Sequence, residues 1–376
     1  MARSLSGNQV RRWRLRSQLL TGERPGDVHE VVRHMGGVQA QDTPASRLAL
    51  RPRGAGLDAR AVRAACDRER SVVRTWAMRG TLHMVTAEDV GWLVALLGPG
   101  FAAANRRRRL QLGLDEDLCA RALPAIRKVL AADGPLPRGE LVARLAGEGV
   151  VVDPRGQAPA HLVGYAAARG VVCRGPDLDG DEPTYVLLDD WVGRRRVLDP
   201  EVALAELTRR YLGAHGPATP QDLAAWAGIT AGQARSGFEL AAGALAEVEA
   251  AGARAWTPRD ARAPRPGSGP CVRLLYRFDE YLLGWRGHDL ILSPAFAGRI
   301  QAGGGWIHPA VVLHGRVVGT WRLTQGGAGR LTVAVEPFEP LDAAVPGLQA
   351  EVADLGRFLD APATLSLGGA APKAGG

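Results

Sequence analysis

Apolar residues switch between helical and extended spacing along the first 114 residues. Spacings of three and four positions predict four helices, over residues 8–20, 27–35, 45–50 and 58–66. Gly36 and Gly37 are expected to end the second helix, because glycine readily adopts the backbone conformation that terminates helices. Residues 72–85 are rich in β-branched side chains around Gly80, which predicts the two strands of a hairpin. Helices followed by a two-stranded hairpin are the element order of a winged-helix module.

The same order returns twice further along the chain. A second set of helices is predicted over residues 115–131, 137–147 and 157–168, before strands at 171–174 and 185–188. A third set is predicted over 200–212, 219–227 and 230–241, before short strands at 245–249 and 254–256. In this third set Thr219 caps one helix, Gly228 turns the chain and Thr230 starts the next helix. The repetition predicts three winged-helix modules, over residues 1–114, 115–198 and 199–260.

The pattern becomes extended beyond a segment rich in proline, glycine and serine at residues 261–270. Strands are predicted at 272–276, 306–313, 317–323, 331–335 and 364–367, with one helix over 341–358. Residues 368–376 are expected to be disordered. We therefore expect an α+β fold, in which three tandem winged-helix modules precede a C-terminal β-barrel-like domain over residues 261–376, built as a small open sheet or a barrel.

The charge of the chain favours a polyanionic partner. Lys and Arg number 47 against 39 Asp and Glu, which gives a formal net charge of +8. All but two of these cations are arginine, whose planar fork binds phosphate in a bidentate manner. The four cysteines are far apart without a CxxC pair, which argues against a zinc finger and for reduced thiols in the cytoplasm. No apolar window is long enough to span a membrane, so no membrane partner is expected. The missing CxxC pair gives no reason to expect a bound metal.

Several common catalytic motifs are missing from the sequence. It contains no GxxxxGK[ST] and no convincing GxGxxG after a strand, which argues against nucleotide binding. It contains no HExxH zinc motif and no GxSxG nucleophile elbow. We therefore expect no cofactor.

The candidate catalytic groups are two glutamines, Gln39 and Gln41. Alternate residues of an extended chain project to the same side, so the two carboxamides can hold one small polar molecule, such as a water, between them. A carboxamide donates and accepts hydrogen bonds but does not titrate near neutral pH, so this pair can orient a water but cannot be a strong base. The alternative is that both side chains are solvated or cap a helix end.

Three stretches offer candidate contacts to DNA. An arginine run at residues 106–109 can clamp phosphates, or it is simply a solvated helix end. Residues near the hairpin turn at 79–83 can enter a groove, although a histidine in a strand is often structural. In the aromatic segment 278–289 we expect the aromatic residues in the core and the basic ones facing a ligand. The candidate DNA-binding residues are Arg79, Thr81, His83, Arg106, Arg107, Arg108, Arg286 and His288.

Three motifs together resemble the winged-helix DNA glycosylase superfamily. They are VQAQDTP at residues 38–44, RTWAMRGTLHMV at 74–85 and FDEYLLG at 278–284. The resemblance covers nearly the whole chain, and the Gln-x-Gln form matches the azinomycin-resistance branch. It implies that Gln39 and Gln41 are catalytic and that the substrate is double-stranded DNA carrying bulky N7-alkylated guanine. It also implies that crosslinked DNA is a substrate and that the enzyme protects a producer of a genotoxic metabolite.

This chemistry suits a pair of glutamines. Alkylation at N7 gives the base a positive charge and weakens its glycosidic bond, so fixed dipoles suffice to position water and stabilise the sugar cation. The two lysines, at positions 128 and 373, are far from the pair in sequence, so a monofunctional enzyme is expected. We also expect it to be a monomer. A non-enzymatic winged-helix regulator remains the main alternative. A protein that sequesters the free genotoxin is a third hypothesis.

Overall fold

The computed structural model describes residues 3–265 and 271–368. The predicted linker residues 266–270 and the predicted disordered residues 369–376 therefore lie outside the described residues. The helices are α1 (Gly7–Ser17), α2 (Val28–Met35), α3 (Thr43–Leu50), α4 (Ala59–Asp67), α5 (Val90–Ala104), α6 (Arg106–Gln111), α7 (Glu116–Asp133), α8 (Arg138–Gly147), α9 (Ala158–Ala168), α10 (Leu188–Val192), α11 (Pro200–His215), α12 (Pro220–Ala227), α13 (Ala231–Leu240), α14 (Glu280–Leu283), α15 (Ala297–Ile300) and α16 (Val345–Leu359).

The strands complete a mixed α+β fold, as expected from the sequence. They are β1 (Arg3–Leu5), β2 (Val38–Gln39), β3 (Val72–Trp76), β4 (Leu82–Thr86), β5 (Leu136–Pro137), β6 (Val172–Asp177), β7 (Pro183–Leu187), β8 (Leu245–Ala250), β9 (Ala253–Pro258), β10 (Val272–Leu275), β11 (Gln301–Gly303), β12 (Trp306–Ile307), β13 (Ala310–Leu313), β14 (Arg316–Gln325), β15 (Leu331–Pro337) and β16 (Ala363–Leu367). No helix among the described residues is long and apolar enough to cross a bilayer.

One order of elements occurs three times. The first unit runs α2, β2, α3, α4, β3 and β4, and the second runs α7, β5, α8, α9, β6 and β7. The third runs α11, α12, α13, β8 and β9, with a single bridge between Ala218 and Trp256 in the place of the short strand. In each unit the short strand or bridge pairs antiparallel with the last strand of the hairpin. Two-residue strands show no alternation, so the sequence pattern did not predict them.

Local capping explains where the helices of the third unit begin and end. The Thr219 hydroxyl accepts from Asp222 N while the Asp222 carboxylate accepts from Thr219 N, which is a capping box. Thr230 forms the same box with Gln233 at the start of α13. Gly228 ends α12 at φ 73°, a left-handed conformation that favours glycine. The predicted roles of Thr219, Gly228 and Thr230 are therefore confirmed.

The first two units share one sheet. Its strand order is β2-β4-β3-β6-β7-β5, and the two hairpins meet where Arg74 pairs with Arg174. The N-terminal strand β1 pairs in parallel with β8, which ties the start of the chain to the third unit. The repeated units are therefore joined to one another by backbone hydrogen bonds within shared sheets.

The C-terminal strands form an open half-barrel rather than a closed barrel. The strand order is β10-β13-β14-β15-β16, and within the described residues β10 and β16 are its edges. Helix α16 lies against this sheet and buries Leu348, Val352, Leu355 and Phe358, which are spaced three or four positions apart. The predicted strand at 306–313 is divided, because β12 pairs with β11 in a separate hairpin while β13 joins the sheet.

Buried ion pairs fasten the half-barrel to the first unit. Arg51 contacts Glu351 and Asp354, each over 2.7 Å. Arg53 is fully buried and binds both carboxylate oxygens of Asp279, over 2.7 and 2.8 Å. Breaking one partner of such a pair leaves an uncompensated buried charge, which destabilises a protein by about 3–5 kcal/mol. These contacts hold the segment 278–284 beside the Gln-x-Gln segment.

Candidate active site

Gln39 and Gln41 lie side by side with their carboxamides in contact. Gln39 is the last residue of β2 and is buried, whereas Gln41 follows the strand and is exposed. Gln39 Nε2 donates to Gln41 Oε1 over 3.1 Å. Ala40 N still donates to the Leu82 carbonyl beyond β2, but the chain then bends at Gln41 and Asp42, where Asp42 caps α3 by accepting from Ala45 N. The two carboxamides therefore meet, as the proposed pair requires, although the strand ends at Gln39 and the chain bends at Gln41.

Arg79 holds the oxygen of the buried glutamine. Its guanidinium donates to Gln39 Oε1 over 2.8 Å and to the Trp226 carbonyl over 2.6 Å. Trp226 belongs to α12, so the third unit contributes directly to the arrangement of the first. The exposed carboxamide of Gln41 keeps its amide nitrogen and one oxygen lone pair for a water or a substrate.

Glu280 lies beneath the glutamine pair and is fully buried. Its carboxylate accepts the Gln39 backbone N–H over 2.7 Å and Trp226 Nε1–H over 3.2 Å. Burial raises the pKa of Glu280, and the nearby Arg79 cation with the two N–H donors opposes this rise. Because its two oxygens face these internal donors, Glu280 supports the site and is not placed to exchange protons with a substrate.

The segment that carries Glu280 is itself rigidly held. Asp279 caps α14 by accepting from Tyr281 N, while Arg53 binds its carboxylate. The Tyr281 hydroxyl donates to the Gly315 carbonyl over 2.9 Å. Of the aromatic residues that the sequence placed in the core, Tyr281 and Trp285 are buried and Phe278 is half-buried.

Sequence reasoning missed three residues of this site, namely Arg53, Trp226 and Glu280. Acidic residues are common, and the sequence does not show which of them a distant segment brings to a glutamine. The signal that was available is the density of the segment 278–284, in which two adjacent acids are surrounded by apolar residues. Two adjacent acids that are buried need hydrogen-bond donors or cations as partners, so such a pair indicates a buried polar site.

The prediction that the first hairpin enters a DNA groove is wrong. The turn between β3 and β4 is packed inside the protein, because Gly80 lies against Phe101 of α5 and the turn lies against α12. Thr81 donates its hydroxyl to the Met78 carbonyl within the turn. Arg79 is half-buried with its guanidinium engaged at Gln39, so it does not project toward DNA.

His83 is also internal. It lies opposite Gln39 in the sheet and is fully buried, with Nδ1 2.9 Å from the Thr81 carbonyl. Burial lowers the pKa of His83 to about 3, and the adjacent Arg79 cation acts in the same direction. A neutral, buried imidazole cannot contact DNA, so the structure corrects the predicted DNA-binding role of His83 to a structural one.

Gly228→Ala should destabilise the protein by about 3 kcal/mol, through left-handed strain and overpacking. An added Cβ would lie 2.7 Å from Arg79 Cα and 2.9 Å from Arg79 N, and neither backbone atom can move alone. Gly252→Ala is the matched control, because Gly252 also has positive φ but faces open space. Urea unfolding compares the two variants. Equal losses of stability would contradict the packing of the turn against α12.

The arginine run keeps its predicted place on the surface, with one exception. Arg106, Arg107 and Arg108 are exposed on α6, where Arg106 contacts Glu116 and Arg108 donates to a glutamine side chain. Arg109 is buried instead, because its guanidinium stacks on an aromatic ring. The three exposed arginines therefore remain candidates for phosphate contact.

The two basic residues after α14 differ from each other. Arg286 is exposed, and its backbone N–H donates to Asp222. His288 is half-buried, with Nε2 2.8 Å from the Leu282 carbonyl and Nδ1 3.2 Å from Gln301 Nε2. Since internal groups occupy both ring nitrogens, the structure corrects the predicted DNA contact of His288 to a structural role, whereas Arg286 keeps its candidacy.

The described residues contain no cluster of three or more His, Cys, Asp or Glu side chains arranged to hold a metal ion. The cysteines are free thiols, and burial raises the pKa of Cys66 and of Cys173 to about 12. Thiols with such pKa values stay protonated and inert at neutral pH.

Comparisons with known proteins agree with this arrangement. A family model described as DNA glycosylase AlkZ-like matches residues 32–358. The chain is 30% identical over 337 residues to the interstrand DNA cross-link repair glycosylase of Streptomyces sahachiroi, covering 85% of this chain and 88% of that protein. The solved structure of S. sahachiroi DNA glycosylase AlkZ matches with a TM-score of 0.82 and 28% identity, covering 96% of this chain and 100% of that one. The resemblance carried by the three motifs is thereby confirmed. The chain belongs to the AlkZ-like DNA glycosylase family and is a DNA glycosylase.

Proposed function

We propose that this enzyme hydrolyses the N-glycosidic bond of bulky N7-alkylguanine in double-stranded DNA, with Gln39 and Gln41 as the catalytic pair. The observation that carries the proposal is the contact between the two carboxamides, with Gln41 exposed and Gln39 held by Arg79. Such a pair orients a water without removing its proton. A site of this kind suits a base that already carries a positive charge.

The proposed reaction balances without a protein acid or base. The C1′–N9 bond breaks and its electron pair neutralises the cationic base, which leaves as a neutral purine. The developing sugar cation is then attacked by a water that Gln41 orients through its free lone pair and amide nitrogen. The C1′–O bond forms, and the surplus proton passes to solvent. Preorganised carboxamide dipoles stabilise the developing charge without reorganising.

We infer that the enzyme is monofunctional. A Schiff-base lyase step requires an amine at the sugar. Lys128 lies on α7 of the second unit, where its ammonium contacts Glu148 over 2.8 Å. The proposed product is therefore an intact abasic site and a free alkylated base.

We propose that the three repeated units are winged-helix modules over residues 1–114, 115–198 and 199–260, followed by the half-barrel domain over 261–376. The repeated element order supports this division. Arg106, Arg107, Arg108 and Arg286 are the proposed phosphate contacts, because they are exposed and arginine binds phosphate in a bidentate manner. We further propose that the enzyme works as a monomer in the cytoplasm.

The name of the S. sahachiroi relative supports a wider substrate range. We propose that interstrand crosslinks joined through N7 of guanine are also unhooked, and that the enzyme protects a cell exposed to an alkylating metabolite. The half-exposed character of the site, with Gln41 at the surface, favours lesions too large for a deep pocket. A non-catalytic regulator is not favoured, because the family consists of glycosylases.

The test incubates the enzyme with a duplex that carries one N7-methylguanine and then heats it in alkali, which cleaves abasic sites. We expect strand breaks with the wild-type enzyme and none above background with the Gln39→Ala/Gln41→Ala variant. Absence of breaks on every N7-alkylguanine duplex tried, including bulky adducts, would contradict the proposal. Binding to DNA should also weaken steeply with salt if the exposed arginines contact phosphates.

A further inference from the structure

We propose that Arg79 is a positioning residue that fixes which atoms the two site carboxamides present to the substrate, with Trp226 holding its guanidinium and Glu280 offsetting its charge. The inference rests on the function proposed above, in which Gln39 and Gln41 are the catalytic pair. The sequence predicted that Arg79 contacts DNA. Loss of a DNA contact would weaken Kd and its salt dependence, whereas loss of a positioning residue would lower the rate constant.

A carboxamide can exchange its oxygen and nitrogen by rotating through half a turn, and both orientations fill the same space. An arginine removes this freedom, because a guanidinium only donates hydrogen bonds and so requires the Gln39 oxygen. The Gln39 nitrogen must then face Gln41. Since that nitrogen is a donor, Gln41 must present its oxygen in return. One arginine thereby sets the orientation of two amides in succession.

Arg79 is held by its backbone surroundings and by its guanidinium contacts, and an opposing buried charge lies nearby. Its backbone has φ 55°, a left-handed conformation uncommon for arginine, and it lies against Gly228. Its guanidinium donates to the Trp226 carbonyl. Glu280, which also accepts from Gln39 N and Trp226 Nε1, provides the opposing charge. Strained conformations of this kind persist where the surrounding structure determines them, often at functional sites.

The nearby Glu280 carboxylate also matters for the charge that the substrate meets. Departure of the base leaves positive charge on the sugar, and an uncompensated guanidinium near that sugar would raise its energy. The Glu280 carboxylate offsets the Arg79 charge. The arginine can therefore orient Gln39 without opposing the reaction.

The experiment compares Arg79→Met, which removes the donors and the charge, with Arg79→Lys, which keeps the charge but lacks the planar fork. Each is measured on a duplex with one N7-methylguanine for the single-turnover rate constant, for Kd and for the salt dependence of Kd. Arg60→Met is the control, because Arg60 is an exposed arginine paired with Asp360. A double variant, Arg79→Met/Gln39→Ala, completes a mutant cycle.

We expect Arg79→Met to lower the rate constant about 100-fold and Arg79→Lys about 10-fold, because misplacing a catalytic group by an ångström has effects of this order. Kd and its salt dependence should match those of the wild type and of Arg60→Met. The double variant should be no slower than Gln39→Ala alone, because Arg79 acts through Gln39. Arg79→Lys retains the charge opposite Glu280, so it tests the inference even if Arg79→Met does not fold.

Three results would overturn the inference. A wild-type rate in Arg79→Lys would do so, as would losses that multiply in the double variant. A weaker Kd with a shallower salt dependence would instead make Arg79 a phosphate contact. If the wild-type enzyme excises no N7-alkylguanine substrate, the proposed function itself fails, whereas an active wild type with fully active Arg79 variants removes only this inference.

Discussion

Replacing Glu280 by glutamine should destabilise the protein by about 3 kcal/mol and slow excision about 100-fold. Both carboxylate oxygens accept N–H donors, from Gln39 and from Trp226. A glutamine has one oxygen and one amide nitrogen, so in either orientation its nitrogen would face a donor and leave that donor without a partner. The guanidinium of Arg79 would also lose a nearby charge of opposite sign. Stability and catalysis should therefore fall together.

Thermal unfolding and single-turnover excision measure these two effects in the same preparation. Glu339→Gln is the matched control, because Glu339 is exposed and its charge should contribute little. A Glu280→Gln variant as stable and as active as Glu339→Gln would contradict the assigned contacts. A variant that is destabilised but fully active would show that Glu280 supports only the fold.

Features set by neighbouring residues could be predicted from the sequence. Thr219 and Gly228 act as the cap and the turn that their residue types indicate, because capping depends on a few adjacent backbone groups. Gln39 and Gln41 are only two positions apart, so a contact between their carboxamides could be expected from the sequence. The exposure of the arginines on α6 could likewise be predicted, because a run of charged side chains favours the surface.

Features set by distant packing could not be predicted. From the sequence, Arg79 and His83 were predicted to lie at the tip of an exposed hairpin. No residue close to them in the sequence indicates that α5 and α12 cover the turn. The contacts of Glu280 with Gln39 and Trp226 join three separate parts of the chain. Closure of the C-terminal sheet depends on whether its edge strands pair, which the strand pattern leaves undetermined.

The second large effect concerns the charge of the leaving base. Excision should require a cationic base. A neutral leaving purine needs a general acid to protonate it, whereas this site offers only carboxamides and a permanently charged arginine. Among the described residues at the site, Glu280 is enclosed and His83 is neutral and buried, so neither can protonate a departing purine. A neutral purine should therefore react more slowly by about four orders of magnitude or more, which is the upper range of what a general acid contributes.

The rate of excision from a duplex carrying 7-methyl-7-deazaguanine tests this claim most directly. This base has the shape of N7-methylguanine, but a carbon replaces N7 and removes the positive charge. The account predicts that the enzyme binds both duplexes with similar Kd, excises N7-methylguanine and leaves the neutral analogue intact at the level of the Gln39→Ala/Gln41→Ala variant. Excision of the neutral analogue at a rate comparable to that of N7-methylguanine would contradict it.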